Sequence, residues 1–495
     1  MMLGVLRISI FSIFEYDPDI TDTFYDLVIQ NGRVMDPLTR TDVNANIGIK
    51  NGRIADIGPV TQPLAGSRVI NATGLLVAPG FIDMHAHEGN IDVTMEAFVK
   101  DGRTTMISGQ CGEAPYPIAD FFGKLDNGCL INCASHFGHN TLRELVGIDR
   151  FSPATKAEIA TMEKLAHQEM QSGVLGISYG LAYAPGSSFE EQLALAKVVA
   201  EYGGMGSAHG RAGALVGVDS TRELIELAKE AKIPFVQSHI GSTLGQDGNL
   251  MDEGLELIAR AQSSGIPFLA DIYAYTARET GIRAAMLEPR AFDKFNLAPE
   301  DFEVAKDVII DGEIVLKVGD RFESEEQFYW VRENWAGPVI IHGLNPKKVK
   351  IAMQNPYVVC CSDGEAEWDP AGKTFSGHPR TSGNFARFLG YWVREQNSMD
   401  TMDALFKTST QSALHLGLTR KGRIIVGADA DITIFDPSTV IDKSDFGANF
   451  LEPSEGISYV IVNGVLTVEQ KKLLPGAMAG KTIRRTWKIP GYLTL

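Results

Sequence analysis

Two histidines at alternate positions, His85 and His87, end the apolar run GFIDMHAH. In a β-strand, residues two apart point to the same side, so these two imidazoles converge where the strand runs out. Imidazole nitrogens are common ligands of zinc. A His-x-His pair at a strand end can equally be a solvated pair, and the pair by itself leaves both interpretations open.

Three more residues of ligand type each end a β-rich run elsewhere in the chain. His209 closes GSAH, His239 closes QSH, and Asp363 follows CCS. Each of them alone is more often a hydrogen-bonded core residue than a ligand. Ligand-type residues at the ends of successive strands, however, are typical of a metal centre at the mouth of a barrel. A carboxylate there can accept a proton from water whose pKa a metal has lowered, which makes Asp363 the candidate general base.

The runs that carry these residues alternate with helical patterns such as SFEEQLALAKVVAEY, and this alternation predicts βαβ units with a parallel sheet. Eight strand candidates can be counted, and eight such units favour a closed α/β fold, the (β/α)8 TIM barrel, over an open sheet. The candidates are LLVAPGFIDMHAH, TTMISGQCG, CLINCASHFGH, GVLGISYGL, GMGSAHGR, IPFVQSHI, IPFLADIYAYT and YVVCCSDG.

Both chain ends have a different residue pattern, in which apolar and polar residues alternate and Asn-Gly pairs favour hairpins. Residues 24–75 and 422–485 are therefore predicted to form one small β-sandwich domain, beside a metal-dependent barrel of residues 76–421. Residues 277–345 interrupt the barrel pattern before its last strand and are predicted to be an insertion over the active site. Residues 1–23 precede the patterned region as an N-terminal extension.

The composition is that of a large globular protein, with 495 residues, 44% of them hydrophobic, and a formal net charge of -17. This charge disfavours phosphate backbones and anionic lipid, and the sequence has no long uninterrupted apolar segment, so neither a nucleic-acid nor a membrane partner is expected. Five cysteines, two of them adjacent, do not fit a secreted disulfide framework. The sequence predicts a cytoplasmic protein that acts on small molecules, and it leaves a homo-oligomer open.

The order of these motifs resembles the amidohydrolase superfamily, which has His-x-His on strand one, histidines on strands five and six, and aspartate on strand eight. Within it the chain is most similar to the N-acyl-D-amino-acid deacylases (D-aminoacylases), over roughly residues 24–485. The resemblance implies a zinc-dependent amidohydrolase that cleaves a linear amide, converting N-acyl-D-amino acids to a carboxylate and a free D-amino acid. The motifs that carry it are YDLVIQNGRVMDP, APGFIDMHAH, TTMISGQCG, GLAYAPG, SHI, DIYAYTA, SDG, HPR and GADADITIFDP.

The resemblance also makes Cys111, on strand two, a metal ligand. Strand four, GVLGISYGL, lacks the lysine that other members of the superfamily use, which agrees with a thiolate ligand. A thiolate together with imidazoles favours zinc over magnesium or calcium. The implied ligands form two sets: Cys111, His209 and His239 for one tightly bound zinc ion, and His85, His87 and Asp363 for a second, weaker or empty site.

Substrate recognition departs from the family pattern. The lysine that the family carries two residues after the strand-six histidine is Gly241 here, so part of the anchor for the substrate carboxylate is missing. Arg380 in HPR remains as a bidentate partner for that carboxylate, with Tyr183 and Tyr275 as hydrogen-bonding walls. Arg380 can equally be a structural arginine, and both roles stay open.

Three alternatives to a deacylase remain. GISYG fits the G-x-S-x-G nucleophile elbow, with Ser178 followed by Asp363 and His378 in serine-hydrolase order, but the residues that come next are loop-like rather than helical. A cyclic-amide hydrolase of the hydantoinase or dihydroorotase kind would use the same metal centre, although the missing strand-four lysine disfavours it. A non-catalytic amidohydrolase-like assembly protein would have lost its ligands, whereas this chain retains the whole set.

Overall fold

The computed structural model describes residues 24–486 except for four short gaps at 212–215, 246–248, 289–290 and 371. The extension predicted for residues 1–23 lies outside the described residues. Within the described part of the chain, no helix has the length and apolar character needed to cross a membrane.

β-Strands dominate both ends of the described chain and alternate with helices between them. Each of the eight strand candidates from the sequence overlaps an observed strand. In chain order the strands are β1 (Phe24–Asp36), β2 (Thr41–Lys50), β3 (Arg53–Pro59), β4 (Ala65–Asn71), β5 (Leu76–Pro79), β6 (Phe81–Asp83), β7 (Arg103–Ser108), β8 (Asn132–Ser135), β9 (Phe137–Gly138), β10 (Gly176–Gly180), β11 (Met205–His209), β12 (Phe235–Gln237), β13 (Phe268–Ile272), β14 (Ala277–Gly281), β15 (Phe302–Val304), β16 (Val308–Ile310), β17 (Glu313–Leu316), β18 (Pro338–His342), β19 (Val358–Cys360), β20 (Glu367–Asp369), β21 (Thr374–Ser376), β22 (Ile432–Phe435), β23 (Ile457–Val462), β24 (Val465–Glu469) and β25 (Lys472–Leu473).

The helices lie between these strands, where apolar residues recur with helical spacing. Several begin at a capping residue: Thr155 accepts a hydrogen bond from the Glu158 amide while the Glu158 side chain accepts one from the Thr155 amide. The described residues also form two π-helical segments, Phe388–Glu395 and Phe406–Thr410, and two short 3-10 turns, Ala285–Leu287 and Pro299–Asp301. The α-helices are α1 (Ile91–Lys100), α2 (Ile118–Asp126), α3 (His139–Val146), α4 (Lys156–Gln171), α5 (Phe189–Glu201), α6 (Asp219–Ala231), α7 (Ile240–Leu244), α8 (Leu250–Ser263), α9 (Ala291–Phe295), α10 (Glu325–Asn334), α11 (Pro346–Gln354), α12 (Arg380–Arg387), α13 (Thr401–Leu405) and α14 (Gln411–His415).

One nine-stranded sheet joins the two ends of the chain. Its order is β25-β24-β23-β22-β5-β1-β2-β3, with β4 paired to β1. β22 runs antiparallel to β5 and pairs Ile432 with Pro79 and Phe435 with Leu76. The apolar faces of both chain ends therefore pack into one core. The sandwich form and the domain boundaries that the sequence suggests stay predictions.

Two parallel sheets occupy the middle of the chain. One has the order β6-β7-β8, and the other has the order β19-β13-β12-β11-β10-β9. Only His136 separates β8 from β9, and an isolated parallel bridge between Ala86 and Gly364 follows the ends of β6 and β19. The fold is thus a mixed α/β fold in which the two parallel sheets adjoin at both edges.

Residues 277–345 form a small antiparallel sheet and a hairpin. β14 and β15 both pair with β18, and β16 pairs with β17. A separate apolar core supports this segment, in which the rings of Phe292, Phe302 and Phe328 lie 5.0 to 5.2 Å apart between centroids. β14 follows β13 after four residues, so this segment begins at the end of a parallel strand.

A buried ion-pair network anchors the end of β6, two residues before His85. Arg103, which is fully buried, lies 3.0 Å from Asp83 and 3.1 Å from Asp101, measured between guanidinium nitrogen and carboxylate oxygen. Its guanidinium also stacks 3.7 Å from the centroid of the Phe98 ring. Because Asp83 precedes His85 by two residues, this network fixes the backbone next to the candidate metal centre.

Arg103→Met is expected to lower the free energy of unfolding by about 3–5 kcal/mol, because it leaves two buried carboxylates without their counter-charge. Burial already raises the pKa of Asp101 to about 6. Urea unfolding followed by tryptophan fluorescence measures the change. The control is Arg33→Met, which removes an exposed pair with Asp42 and should cost less than ~1 kcal/mol. Equal losses in the two variants would contradict the role of the buried network.

Candidate metal centre and active-site cavity

The parallel strands bring six side chains of ligand type together at their carboxyl ends. In each of two groups, which share Cys111, the ligand atoms lie within 4.8 Å of one another. These are the six residues that the sequence singles out, and their function as metal ligands stays a prediction. The groups are His85, His87, Cys111 and Asp363, and Cys111, His209 and His239.

Cys111 stands between the histidines. Its Sγ atom faces three imidazole nitrogens: His85 Nε2 at 3.4 Å, His209 Nδ1 at 3.6 Å and His239 Nε2 at 3.4 Å. Burial opposes ionisation of the thiol, but the neighbouring histidine charges and hydrogen bonds lower the pKa of Cys111 well below its usual value. The thiolate is the form that ligates zinc, so the surroundings favour a metal-binding state.

The backbone at three of these positions is in the left-handed region. Cys111, His239 and Asp363 have φ values of 55°, 31° and 54°. Each lies two or three residues beyond the end of a parallel strand, where the left-handed residue bends the chain away from the strand direction. Non-glycine residues in this region cost about 1–3 kcal/mol each and cluster at functional sites, so the strained backbone supports a functional role for all three.

Asp363 is held in its charged form. Its Oδ1 lies 3.1 Å from Nε2 of both His85 and His87, and its Oδ2 lies 3.0 Å from Nη1 of Arg380. Burial opposes the charge, but the Arg380 guanidinium and the neighbouring histidines hold the pKa of Asp363 well below its usual range. Asp363 is therefore an ionised carboxylate at neutral pH, which is the form that a proton acceptor requires.

Asp271, at the carboxyl end of β13, is a site residue that the sequence analysis misses. Its Oδ2 lies 3.2 Å from Nδ1 of His85, and its Oδ1 accepts hydrogen bonds from the His239 amide and, at 3.0 Å, from the Cys361 thiol. A carboxylate on the second nitrogen of a metal-binding imidazole fixes the tautomer and orientation of the ring. The available signal was its position, because Asp271 lies at the carboxyl end of β13, the same end of the parallel strands at which the ligand-type residues lie.

Asp271→Asn is expected to weaken zinc binding by about 10–100-fold, because an amide holds the His85 imidazole less firmly than a carboxylate does. Zinc titration in competition with a chromogenic chelator measures the affinity. Asp36→Asn is the control, since Asp36 is another buried carboxylate but lies at the end of β1 and accepts hydrogen bonds from Thr39 and the Ile424 amide. Wild-type affinity in Asp271→Asn would show that Asp271 does not position a ligand.

A cavity of about 1100 Å³ opens at the metal-ligand cluster. All of the candidate ligands except His85 line it, together with Tyr183 and Arg380. The Tyr183 ring lies 4.8 Å from the His209 ring between centroids, and the Arg380 guanidinium lies 4.8 Å from the centroid of the Tyr273 ring. The structure thus brings two of the three predicted substrate-binding residues to the same cavity as the ligands.

Tyr275 is not brought to this cavity. Its hydroxyl donates to Asp442 at 2.9 Å and lies 3.3 Å from Ser444 Oγ, and the cavity lining does not include it. β13 ends at Ile272, so the two-residue alternation of a strand no longer determines where Tyr275 points. Its position does not support the predicted contact with substrate.

The serine-hydrolase alternative finds no matching geometry among the described residues. Ser178 lies inside β10, is fully buried, and accepts a hydrogen bond from the Gly112 amide at 3.0 Å. His378 contacts the Ala277 carbonyl with Nε2 and accepts the Arg380 amide at Nδ1. Both members of the supposed triad have other partners, and no helix follows β10 directly.

Comparison with known proteins gives the family. Two family models, both described as Amidohydrolase family, match residues 68–270 and 345–467. The chain belongs to the amidohydrolase family.

Several relatives match nearly the whole chain. The N-acyl-D-glutamate deacylase and the D-aminoacylase of Alcaligenes xylosoxydans xylosoxydans are each 29% identical to it; the matches cover 94% and 93% of this chain and 98% of each relative. The structure is also similar to N-acyl-D-glutamate deacylase from Bordetella bronchiseptica, solved with zinc and a phosphonate mimic of the tetrahedral intermediate, with a TM-score of 0.82, 26% identity, and coverage of 93% of this chain and 100% of that one. A D-hydantoinase structure, at 17% identity and a TM-score of 0.59 over 93% of this chain and 99% of that one, shares the fold alone.

Proposed function

We propose that this protein is a zinc-dependent amidohydrolase that cleaves the linear amide bond of N-acyl-D-amino acids and releases a carboxylate and a free D-amino acid. The observation that carries the proposal is the position of Cys111 between two sets of histidines at one end of a large cavity. The full-length similarity to proteins named as D-amino-acid deacylases supports the substrate class.

The residues of the cluster fit a zinc ion. One thiolate and two imidazoles, from Cys111, His209 and His239, make a three-residue ligand set of the kind that catalytic zinc sites use, and they leave a fourth position for water or substrate. The nitrogen of His239 that faces the thiolate is Nε2, at 3.4 Å from Cys111 Sγ, a separation at which both atoms can bind one zinc ion. When bound, zinc would lower the pKa of a water molecule and polarise the scissile carbonyl. The set with His85, His87 and Asp363 would hold a second ion more weakly.

The remaining roles belong to side chains around the cluster. Asp363, ionised and 3.0 Å from Arg380, takes the proton from the attacking water and delivers it to the leaving nitrogen. Arg380 binds the substrate carboxylate through its planar guanidinium, and Tyr183 bonds to the substrate from the wall of the cavity. Arg380 and Tyr183 thus orient the substrate amide, and Asp363 carries one proton from the attacking water to the leaving nitrogen.

We also infer that the two parallel sheets close into a (β/α)8 barrel spanning residues 76–421. The bridge from Ala86 to Gly364 and the near-continuity of β8 and β9 support closure at both edges. Residues 277–345 contribute Phe295 and Pro338 to the cavity lining, which supports an insertion over the active site.

The test is hydrolysis of a substrate panel by zinc-supplemented protein: N-acetyl-D-amino acids, their L-enantiomers, and a set of hydantoins. Release of a free amine from the D-enantiomers, at least about tenfold faster than from the L-enantiomers, is the expected result. Activity on the rings alone would replace the proposal with a cyclic-amide hydrolase. Zinc-loaded protein without any activity would favour a non-catalytic relative.

A further inference from the structure

Ser178 carries the hydroxyl of the G-x-S-x-G motif, and the proposed hydrolysis does not use it. It lies in β10, is fully buried, and accepts a hydrogen bond from the Gly112 amide at 3.0 Å. Gly112 directly follows Cys111, so the hydroxyl contacts the residue next to the thiolate that both ligand groups share. A buried serine with this partner is a candidate for positioning a metal ligand.

Cys111 lies in a tight turn that its own residue type does not favour. The Glu113 amide donates a hydrogen bond to the Gln110 carbonyl at 3.0 Å. The two residues between them, Cys111 and Gly112, have φ values of 55° and 86°. Two positive φ values in succession are those of a type I′ turn, which glycine, asparagine and aspartate favour. A cysteine in the first of these positions therefore needs contacts from elsewhere in the fold to hold it there.

The second residue of the turn is packed against the end of β10. A Cβ added to Gly112 would lie 2.5 Å from the Gly180 amide nitrogen, and one added to Gly180 would lie 2.1 Å from the Cys111 carbonyl oxygen. Both positions therefore need glycine, and the turn and the strand are in direct backbone contact. Across this contact Ser178 supplies the acceptor for the buried Gly112 amide. Without the hydroxyl this amide would be a buried donor that lacks its acceptor, which is costly.

The contact with β10 also relates Cys111 to the ligand on the next strand. β10 pairs in parallel with β11, and Gly180 lies opposite His209. The Sγ atom of Cys111 lies 3.6 Å from Nδ1 of His209. The hydrogen bond from the Gly112 amide thus ties the turn of Cys111 to the strand pair that carries His209.

Gln110 holds the other side of the turn. Its Nε2 donates to the Met84 carbonyl at 3.0 Å, and its Oε1 accepts a hydrogen bond from the Ser207 hydroxyl at 2.8 Å. Met84 directly follows β6, and Ser207 lies two residues before His209 on β11. The turn is therefore anchored on both sides of the thiolate. Loss of one anchor is expected to displace the thiolate while the other anchor keeps the turn in place.

We propose that Ser178 is a positioning residue for the zinc centre. Its hydroxyl, as the acceptor for the Gly112 amide, holds Cys111 in the left-handed conformation that directs the thiolate at the imidazoles. This role rests on the proposed function, since it requires Cys111 to be a zinc ligand. It replaces the nucleophilic role that the motif suggests, because a hydroxyl that acts through Cys111 forms no bond to the substrate.

The test is the zinc affinity of Ser178→Ala, measured in competition with a chromogenic chelator. The variant is expected to bind zinc about 10–100-fold more weakly, because the thiolate is held less firmly. Zinc added far above the new dissociation constant should restore kcat/KM to within about threefold of wild type, since Ser178 takes no part in the chemistry. A nucleophilic serine predicts unchanged zinc affinity and a loss of activity that zinc does not restore, and this result would overturn the proposal.

Cobalt(II) in place of zinc gives a readout that needs no turnover. A cobalt ion bound to Cys111 produces a thiolate-to-metal charge-transfer band in the near ultraviolet, so a titration follows the ligand itself. In Ser178→Ala the band should need a cobalt concentration about 10-fold or more higher than in wild type. Absence of the band from wild type would refute the proposed zinc ligand and, with it, the role of Ser178. A wild-type band that titrates identically in Ser178→Ala would overturn the role of Ser178 alone.

Two comparisons separate the hydroxyl from the packing around it. Ser178→Thr keeps an acceptor and Ser178→Val does not, although the two new side chains have nearly the same shape. Ser178→Val should bind zinc about 10-fold or more weakly than Ser178→Thr, and equal affinities would contradict the positioning role. Ser409→Ala is the matched control, because Ser409 is also fully buried but donates to the Leu405 carbonyl at 2.7 Å, away from the cavity lining. Its zinc affinity should equal that of wild type.

Discussion

Cys111→Ala is expected to lower kcat/KM on the preferred N-acyl-D-amino acid by roughly 10³-fold or more, together with the loss of the tightly bound zinc ion. The thiolate is the common member of both ligand groups, so its removal takes one donor from each. Plasma mass spectrometry of the purified variant gives the metal content, and amine release gives the rate.

Cys133→Ala is the matched control for this prediction. Cys133 is fully buried, and burial raises the pKa of its thiol far above that of a ligating cysteine. The variant should retain zinc and most of its activity. A Cys111→Ala protein that lacked zinc and yet hydrolysed the substrate at the wild-type rate would refute the metal mechanism.

Asp363→Asn should lower kcat by about 10²–10⁴-fold while the tight zinc ion stays bound. Asparagine has nearly the same shape as aspartate but cannot accept the proton, and Asp363 is not a member of the group formed by Cys111, His209 and His239. Zinc analysis and single-turnover rates on the same preparation separate the two effects.

Asp442→Asn provides the comparison for Asp363→Asn. Asp442 is also a carboxylate paired with an arginine, Arg387 at 3.1 Å, but it binds Tyr275 outside the cavity. Its loss should change kcat by less than about threefold. Wild-type turnover in Asp363→Asn would mean that another group moves the proton.

That the six ligand-type residues lie close together could be predicted, because the carboxyl ends of parallel strands meet at one edge. A residue at such an end has a defined location even though its partners are far away in the chain. The local geometry could not be predicted, since Cys111, His239 and Asp363 lie beyond the strands with positive φ, where strand alternation gives no direction.

Asp271 and Tyr275 mark the limit of this reasoning in two different ways. The location of Asp271 near the site could be predicted from its place at the end of a strand. Its residue type and position do not, however, distinguish a metal ligand from a residue that orients a ligand. The hydrogen-bond partner of Tyr275, Asp442, lies 167 residues away in the sequence, and no local pattern indicates that contact. Hydrogen bonds across such separations depend on how the sheets and helices pack.

The nine-stranded sheet links the assembly of the site to strands that are synthesised after all six ligand-type residues. β5 leads into β6 and His85, but its neighbour β22 follows Asp363 in the sequence, and Thr433 in β22 donates a hydrogen bond to the carbonyl of Gly102, 331 residues away. Contacts between residues so far apart in the sequence form late, because a very long loop has to close first. A nascent chain therefore carries all six ligand-type residues before the sheet that anchors the first of them can form. We expect that a ribosome-stalled chain ending at residue 421 contains the whole ligand set but does not hold zinc.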